Sequence, residues 1–389
     1  MQHESMVFQL FLVFAGAAVL ATAALWARQA LIVAYIVLGI LLGPSGFAVL
    51  PDTAFVAGIA EIGIIFLLFL LGLNLHPQKL IALFRSALSV TLLSSGLFAV
   101  VAAILAALFG FSGWELLIIA VASMFSSTII GLKLLPTSVL HHQHTGSVII
   151  SILLLQDILA ILCLLAIRAW GLGETTVPQL LLFLASLPLL IGFAFLMQRW
   201  LLTRLLMRFD TIREYVFLLA IGWCLGLAEL AAWLGLSAEI GAFIAGIAIA
   251  ANPVSMFIAE SLKPLRDFFL VLFFFALGAG LDLAMMPQLW LAAAILATAM
   301  LTLKTLTFRQ LLTRAGESRA RAAEIGFRLG QMSEFSLLIS VLALSNGLIG
   351  ERAAYLVQIA TVLTFLVSPY LIVLQYPTPI GVKDALRRD

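Results

Sequence analysis

This sequence has little charge. Asp, Glu, Lys and Arg together make up 10% of its 389 residues, and apolar residues make up 63%. Soluble domains carry about 25% charged residues, so no water-solvated globule reads this way. Cysteine is nearly absent. Cys163 and Cys224 both fall inside apolar runs, which makes them small core residues and excludes a disulfide framework or a thiolate metal site. There is no glycine-rich phosphate loop, no His-Glu-x-x-His and no Ser/His/Asp set, so the chain is read as a non-enzyme without a cofactor. The net charge is +2 and the basic residues are scattered through short loops, which excludes a nucleic-acid surface. No charged n-region or cleavage site precedes the first apolar run, so that run reads as a retained span. Nor does any Ser/Pro/Gly-rich linker or nucleotide-binding unit interrupt the pattern. Residues 1–389 read as a single transmembrane domain without a soluble regulatory domain.

What the sequence does have is long hydrophobic runs. Thirteen candidate spans fall at about 7–26, 30–49, 56–74, 84–109, 113–135, 147–168, 179–199, 213–234, 237–252, 263–281, 288–311, 319–345 and 354–375. The expected fold is an all-α polytopic membrane protein. Lys and Arg alternate strongly between loops. Arg28, Lys79, Arg85, Lys133, Arg199, Arg204, Arg208, Arg213, Lys263, Arg266, Arg309, Arg314, Arg319, Arg321, Lys383, Arg387 and Arg388 share one side, 17 of the 21 basic residues. Arg168 and Arg352 alone fall on the other. This asymmetry predicts an outside N-terminus and a cytoplasmic C-terminus.

The fifth and twelfth spans carry matching interruptions, Ser123-Met-Phe-Ser126-Ser127-Thr128 and Gly330-Gln331-Met-Ser333-Glu334-Phe335. They occupy equivalent places if about 7–168 and 213–375 are two repeats joined by a linker helix at about 179–199. A shift of seven spans reverses the membrane direction, so the repeats would be inverted. Paired broken helices of this kind mark a transporter's binding site.

The polar residues at membrane depth supply the chemistry. Asp157 sits mid-span, where a carboxylate is expensive and reads as functional. Burial favours a protonated carboxyl and a nearby cation favours the ionised one, so proton and cation compete for one group. Gln156 beside it offers a neutral amide and no second titrating charge. It serves as a cation ligand or as a helix–helix hydrogen bond. Ser126, Ser127 and Thr128 offer hydroxyls, and an unwound helix there would add backbone carbonyls for a desolvated monovalent cation at Asp157. Lys304, buried in the eleventh span, needs a partner, and the expected one is Asp157, in an ion pair that breaks when the cation binds. Glu334 and Arg328 are six residues apart and not helix neighbours. Together with Gln331 they read as support for the helix break, each charge against a half-helix end. His141, His142 and His144 cluster in a loop with no completing Cys or carboxylate, so a solvated loop is expected.

Taken together, these residues resemble the monovalent cation:proton antiporters, most closely the Kef-type potassium efflux branch. The match is carried by Tyr35-Ile-Val-Leu-Gly39-Ile-Leu-Leu-Gly43-Pro44, Ser126-Ser127-Thr128, Gln156-Asp157, Gly235-Leu-Ser237-Ala-Glu-Ile-Gly241-Ala-Phe243-Ile-Ala-Gly246, Lys304 and Gly330-Gln331-x-x-Glu334-Phe335, in the family's order. The resemblance implies two crossing discontinuous helices in a mobile core domain beside a dimerisation domain. It also implies Asp157 as the ion- and proton-binding carboxylate, Lys304 as its buried partner, and a homodimer in the bacterial inner membrane. Sodium/proton relatives have Asp-Asp where this chain has Gln156-Asp157, which implies electroneutral exchange, with potassium favoured and sodium the alternative. Two departures stand out. Kef-type proteins usually continue into a cytosolic regulatory domain, which here would be a separate subunit or a removed C-terminal domain. The third span ends Gly72-Leu-Asn74, where relatives often have an acid. The rival readings are a proton-uncoupled cation efflux channel and a non-transporting membrane sensor.

Overall fold

The computed structural model describes residues 6–27, 29, 31–50, 54–74, 77–135, 144–171, 177–209, 211–236, 238–250, 252, 254–281 and 283–378. Side chains at 77–86, 132–133, 168–171 and 177–184 are among those not described. Of the sequence expectations, Arg28, Lys79, Arg85, Lys133, Arg168, Lys383, Arg387, Arg388, His141, His142, Asn74 and Ser237 fall on such residues or side chains.

Among the described residues the secondary structure is helical, without a β-strand. The helices are α1 (Met6–Trp26), α2 (Leu31–Leu42), α3 (Ala54–Asn74), α4 (Pro77–Leu108), α5 (Gly113–Ala122), α6 (Thr128–Lys133), α7 (His144–Gly171) and α8 (Val177–Met197). A π-helical turn, Gln198–Leu202, leads into α9 (Thr203–Phe209). The rest are α10 (Arg213–Trp233), α11 (Ala238–Ala250), α12 (Ser255–Ala279), α13 (Met286–Arg314), α14 (Arg319–Arg328), α15 (Glu334–Ser345) and α16 (Glu351–Gln375). Each expected span has its counterpart, and the fifth and twelfth are helix pairs, α5/α6 and α14/α15. The tenth begins earlier than the hydropathy suggests. Arg266 and Asp267 pair with each other at 3.0 Å within α12.

Among the described residues, seven helices are long and apolar enough to cross a membrane. By contrast α2, α5, α11 and α15 have 10–13 residues. At about 1.5 Å per residue such a helix covers roughly half of a bilayer's apolar thickness. Of these, α5 is continued by α6 and α15 is preceded by α14, so each belongs to a helix pair.

The helices sort into two bodies by what they touch. α3 packs on α11 and α12, α2 on α12, and α10 on α11. In the second body, α4 packs on α5, α7 and α13, while α16 lies against α13 and α15. The first body is held by backbone contact. A Cβ added at Gly39 would lie 2.1 Å from Phe275 O, and one at Gly246 would lie 2.2 Å from Phe69 O. The same holds for Gly278 against Ile36 O (2.1 Å) and Gly72 against Phe243 O (2.4 Å). Only glycine allows that approach. These contacts come in related pairs: Phe69 and Phe275 are 206 positions apart, as are Gly72 and Gly278, and Gly39 and Gly246 are 207 apart. The two halves of the chain therefore meet through equivalent residues.

Candidate ion-binding site

The site lies where α5/α6 and α14/α15 break and cross. The first break, Ser123–Ser127, is rich in serine, whose side chain competes for backbone hydrogen bonds and weakens helix continuation. The second, Leu329–Ser333, contains Gly330, where an added Cβ would meet Thr305 Oγ1 at 2.8 Å. Each break restarts as a helix through a serine. Ser127 Oγ accepts from Ile130 N–H (3.1 Å), and Ser333 Oγ accepts from Phe335 N–H (3.1 Å). Ser127 and Ser333 are 206 positions apart.

The unwound groups are joined across the crossing. Ser126 Oγ donates to Leu329 O (2.8 Å), Ser336 Oγ to Ala122 O (2.5 Å) and Gln331 Nε2 to Ser127 O (3.3 Å). Lys304, fully buried on α13, donates to Phe125 O and, at 3.3 Å, to Gln331 O. Those carbonyls belong to equivalent residues, again 206 apart. The ring of Phe98, whose equivalent is Lys304 itself, lies 5.2 Å from the ammonium. The expected Lys304–Asp157 ion pair is not formed. The ammonium answers the negative, carbonyl-bearing ends of the breaks.

Glu334 answers the positive ends. It is the first residue of α15, and its carboxylate accepts from its own N–H, Ile129 N–H and the Ser127 hydroxyl, with Ser333 Oγ at 3.4 Å. It thus lies against the N-termini of α6 and α15 together.

Asp157 is 2% exposed and lies on α7, which packs against α15 and α4. Thr128 Oγ1 is 3.2 and 3.1 Å from its two carboxylate oxygens. The charged group acting on it is Glu334, a like charge. Two buried carboxylates that share a site do not both ionise without a counter-charge. Glu334 has two helix ends and four donors, whereas Asp157 has the Thr128 hydroxyl.

Gln156 is committed to the first break. Its Oε1 accepts from Ser126 N–H (3.0 Å), and its Nε2 reaches Met124 O (3.4 Å). The second break has a matching support, since Met332 N–H donates to Thr364 Oγ1 at 3.0 Å, and Met332 is the equivalent of Ser126. Of its two sequence readings, this geometry corresponds to the structural one. Arg328, fully buried, pairs with Glu324 (2.8 Å) and donates to Leu134 O, just past α6 (2.9 Å), and to Pro377 O after α16 (2.8 Å). It ties the end of one half-helix to the chain that leaves the last one. His144, expected in a solvated loop, is instead the first residue of α7 and contacts Glu317 at 2.6 Å.

Sequence reasoning passed over Phe98, Ser336, Thr364 and Ser368. Phe98 is apolar and carries no chemical signal of its own, although the repeat offset from Lys304 points at it. Thr361, Thr364 and Ser368 recur at helical spacing on one face of α16, a polar stripe that was there to read.

A family model described as sodium/hydrogen exchanger, transmembrane, matches residues 11–373. The chain is 31% identical over 360 residues to a K(+) efflux antiporter 4 of Arabidopsis thaliana, covering 89% of this chain and 60% of that protein. It is 27% identical over 348 residues to the glutathione-regulated potassium-efflux system protein KefC of Klebsiella pneumoniae, covering 88% of this chain and 56% of the relative. The chain thus spans little more than half the length of these relatives. In fold it is similar to the sodium proton antiporter MjNhaP1 from Methanocaldococcus jannaschii. The TM-score is 0.70 at 17% identity, with 94% of this chain and 95% of that one covered.

Proposed function

The chain belongs to the sodium/hydrogen exchanger family, and on that premise we propose that it is a secondary active monovalent cation/proton antiporter, with potassium favoured over sodium. One observation carries the reading: Asp157 is buried with a like-charged neighbour, a single hydroxyl and no ion pair with Lys304. Proton and cation satisfy that carboxylate in turn, and Thr128 is the ligand already in place beside it. The similarity to potassium efflux proteins supports the choice of ion. Gln156, neutral and committed to the break, supports one-for-one electroneutral exchange. Glu334 is a second carboxylate at the site, but its charge is answered by two helix ends. The two bodies support an elevator-like movement, in which α4–α7 and α13–α16 carry the site against a scaffold of α1–α3 and α10–α12. The setting is a bacterial inner membrane, with the N-terminus outside, the C-terminus cytoplasmic and two copies joined as a homodimer.

The test is proton flux in proteoliposomes under a potassium gradient. Wild type should show cation-dependent flux and Asp157→Asn none, and an Asp157→Asn protein that still couples potassium to protons would sink the mechanism. Because protons compete for Asp157, potassium should protect wild type against thermal unfolding more at alkaline than at acid pH, and Asp157→Asn should lose that dependence.

A further inference from the structure

The face of α16 that meets the second break carries Thr361, Thr364 and Ser368, all buried. Thr364 has a counterpart in the other half, since it holds Met332 N–H as Gln156 holds Ser126 N–H. Ser368 does something without a counterpart. Its hydroxyl donates to Gln331 Oε1 at 2.9 Å. The equivalent of Gln331 in the first half is Phe125, so this amide is peculiar to the second break. Its Nε2 donates to Arg328 O (2.9 Å) and across the crossing to Ser127 O (3.3 Å). Ser127 O also accepts from Gly131 N–H at 3.1 Å. A carbonyl oxygen has two lone pairs, and here both have donors.

Ser127 is the residue before Thr128, whose hydroxyl is on Asp157. The Gln331 amide therefore holds the backbone one residue from the hydroxyl that touches Asp157. We propose that Ser368 and Gln331 are positioning residues for cation selectivity: Ser368 keeps the amide on Ser127 O, and the amide stops the adjoining Thr128 hydroxyl from closing onto a smaller ion at Asp157. Without the Ser368 hydroxyl, Gln331 Oε1 is a buried acceptor without a donor, and the amide leaves the carbonyl to regain one. The Ser127–Thr128 backbone, freed from the amide, then lets the Thr128 hydroxyl follow a smaller cation inward, and preference moves from potassium towards sodium.

This rests on the antiport reading above, and the experiment separates the two. Proton flux is measured against potassium and sodium concentration for wild type, Ser368→Ala, Ser368→Thr, Gln331→Ala and the double variant, together with thermal protection by each ion in detergent. Ser368→Ala should shift the ratio of half-saturating potassium to sodium by at least about threefold towards sodium, with the maximal rate within about twofold of wild type. Ser368→Thr should restore the ratio, and Ser368→Ala should add nothing to Gln331→Ala. An unchanged ratio in Ser368→Ala, failure of Ser368→Thr to restore it, or additive effects of the two single changes would each overturn the relay while leaving antiport intact. A wild type with neither cation-coupled flux nor cation protection overturns antiport and the relay together. If Ser368→Ala does not assemble, Ser368→Thr and Gln331→Ala still decide, since only the latter should lose selectivity.

Discussion

The two bodies of this protein are held together by opposite means. In α2, α3, α11 and α12 glycines let backbones touch, and apolar side chains such as the stacked Phe66 and Phe269 fill the space beside them. Around the crossing it is the reverse, because interrupted helices leave polar backbone groups in an apolar setting and side chains must answer each one. The first arrangement tolerates no added atom. The second tolerates no lost donor. A body fixed by steric contact suits a support, and one fixed by replaceable hydrogen bonds suits a site whose occupant changes.

The strongest way to break the contrast is at Lys304. Lys304→Met keeps the length but leaves Phe125 O and Gln331 O without their donor, at about 1–3 kcal/mol each. Both thermal stability in detergent and transport should fall. A stable, active Lys304→Met protein would mean that the ammonium is dispensable to the breaks. Next comes the scaffold. Gly246→Val forces a side chain against Phe69 O and should cost about 1–3 kcal/mol or more, read as a lower unfolding temperature. In protein that still inserts, the potassium-to-sodium ratio should stay at the wild-type value, because the cation site belongs to the other body. A finer test lies within the core. Gln156→Leu and Thr364→Val remove equivalent acceptors and should lose similar stability, each about 1 kcal/mol. A large difference between them would show that Gln156 does more than hold its break. The smallest effect belongs to His144→Ala. His144 is 57% exposed, and its contact with Glu317 should contribute under about 1 kcal/mol, so unfolding temperature and flux should barely move.

Much of this was legible in the sequence. Long apolar runs located the helices and helix pairs, because a run of that length and polarity is buried as helix in a bilayer. The serine and glycine clusters gave both breaks, because they weaken helices wherever they stand. The partner of Lys304 was not legible. Charge complementarity favours Asp157, and only the fold shows that two carbonyls stand closer to the ammonium. Gln156 stood open between two readings in the sequence, and the fold adds the direction of its amide, towards Met124 and Ser126. Ser368 was legible as part of the α16 stripe, but its partner was not, since a hydroxyl in an apolar helix usually bonds its own backbone.

One consequence follows from the place of Lys304. Its ammonium holds Phe125 O and Gln331 O, the same carbonyl in each half, and faces Phe98, its own counterpart. A protein assembled from two identical halves would put either two phenylalanines or two ammonium groups at this point. The first would leave both carbonyls unanswered, and the second would set like charges a few ångströms apart in an apolar setting. The crossing therefore demands unlike halves. Joining both copies in one chain, free to diverge, lets a single charge serve a two-fold arrangement.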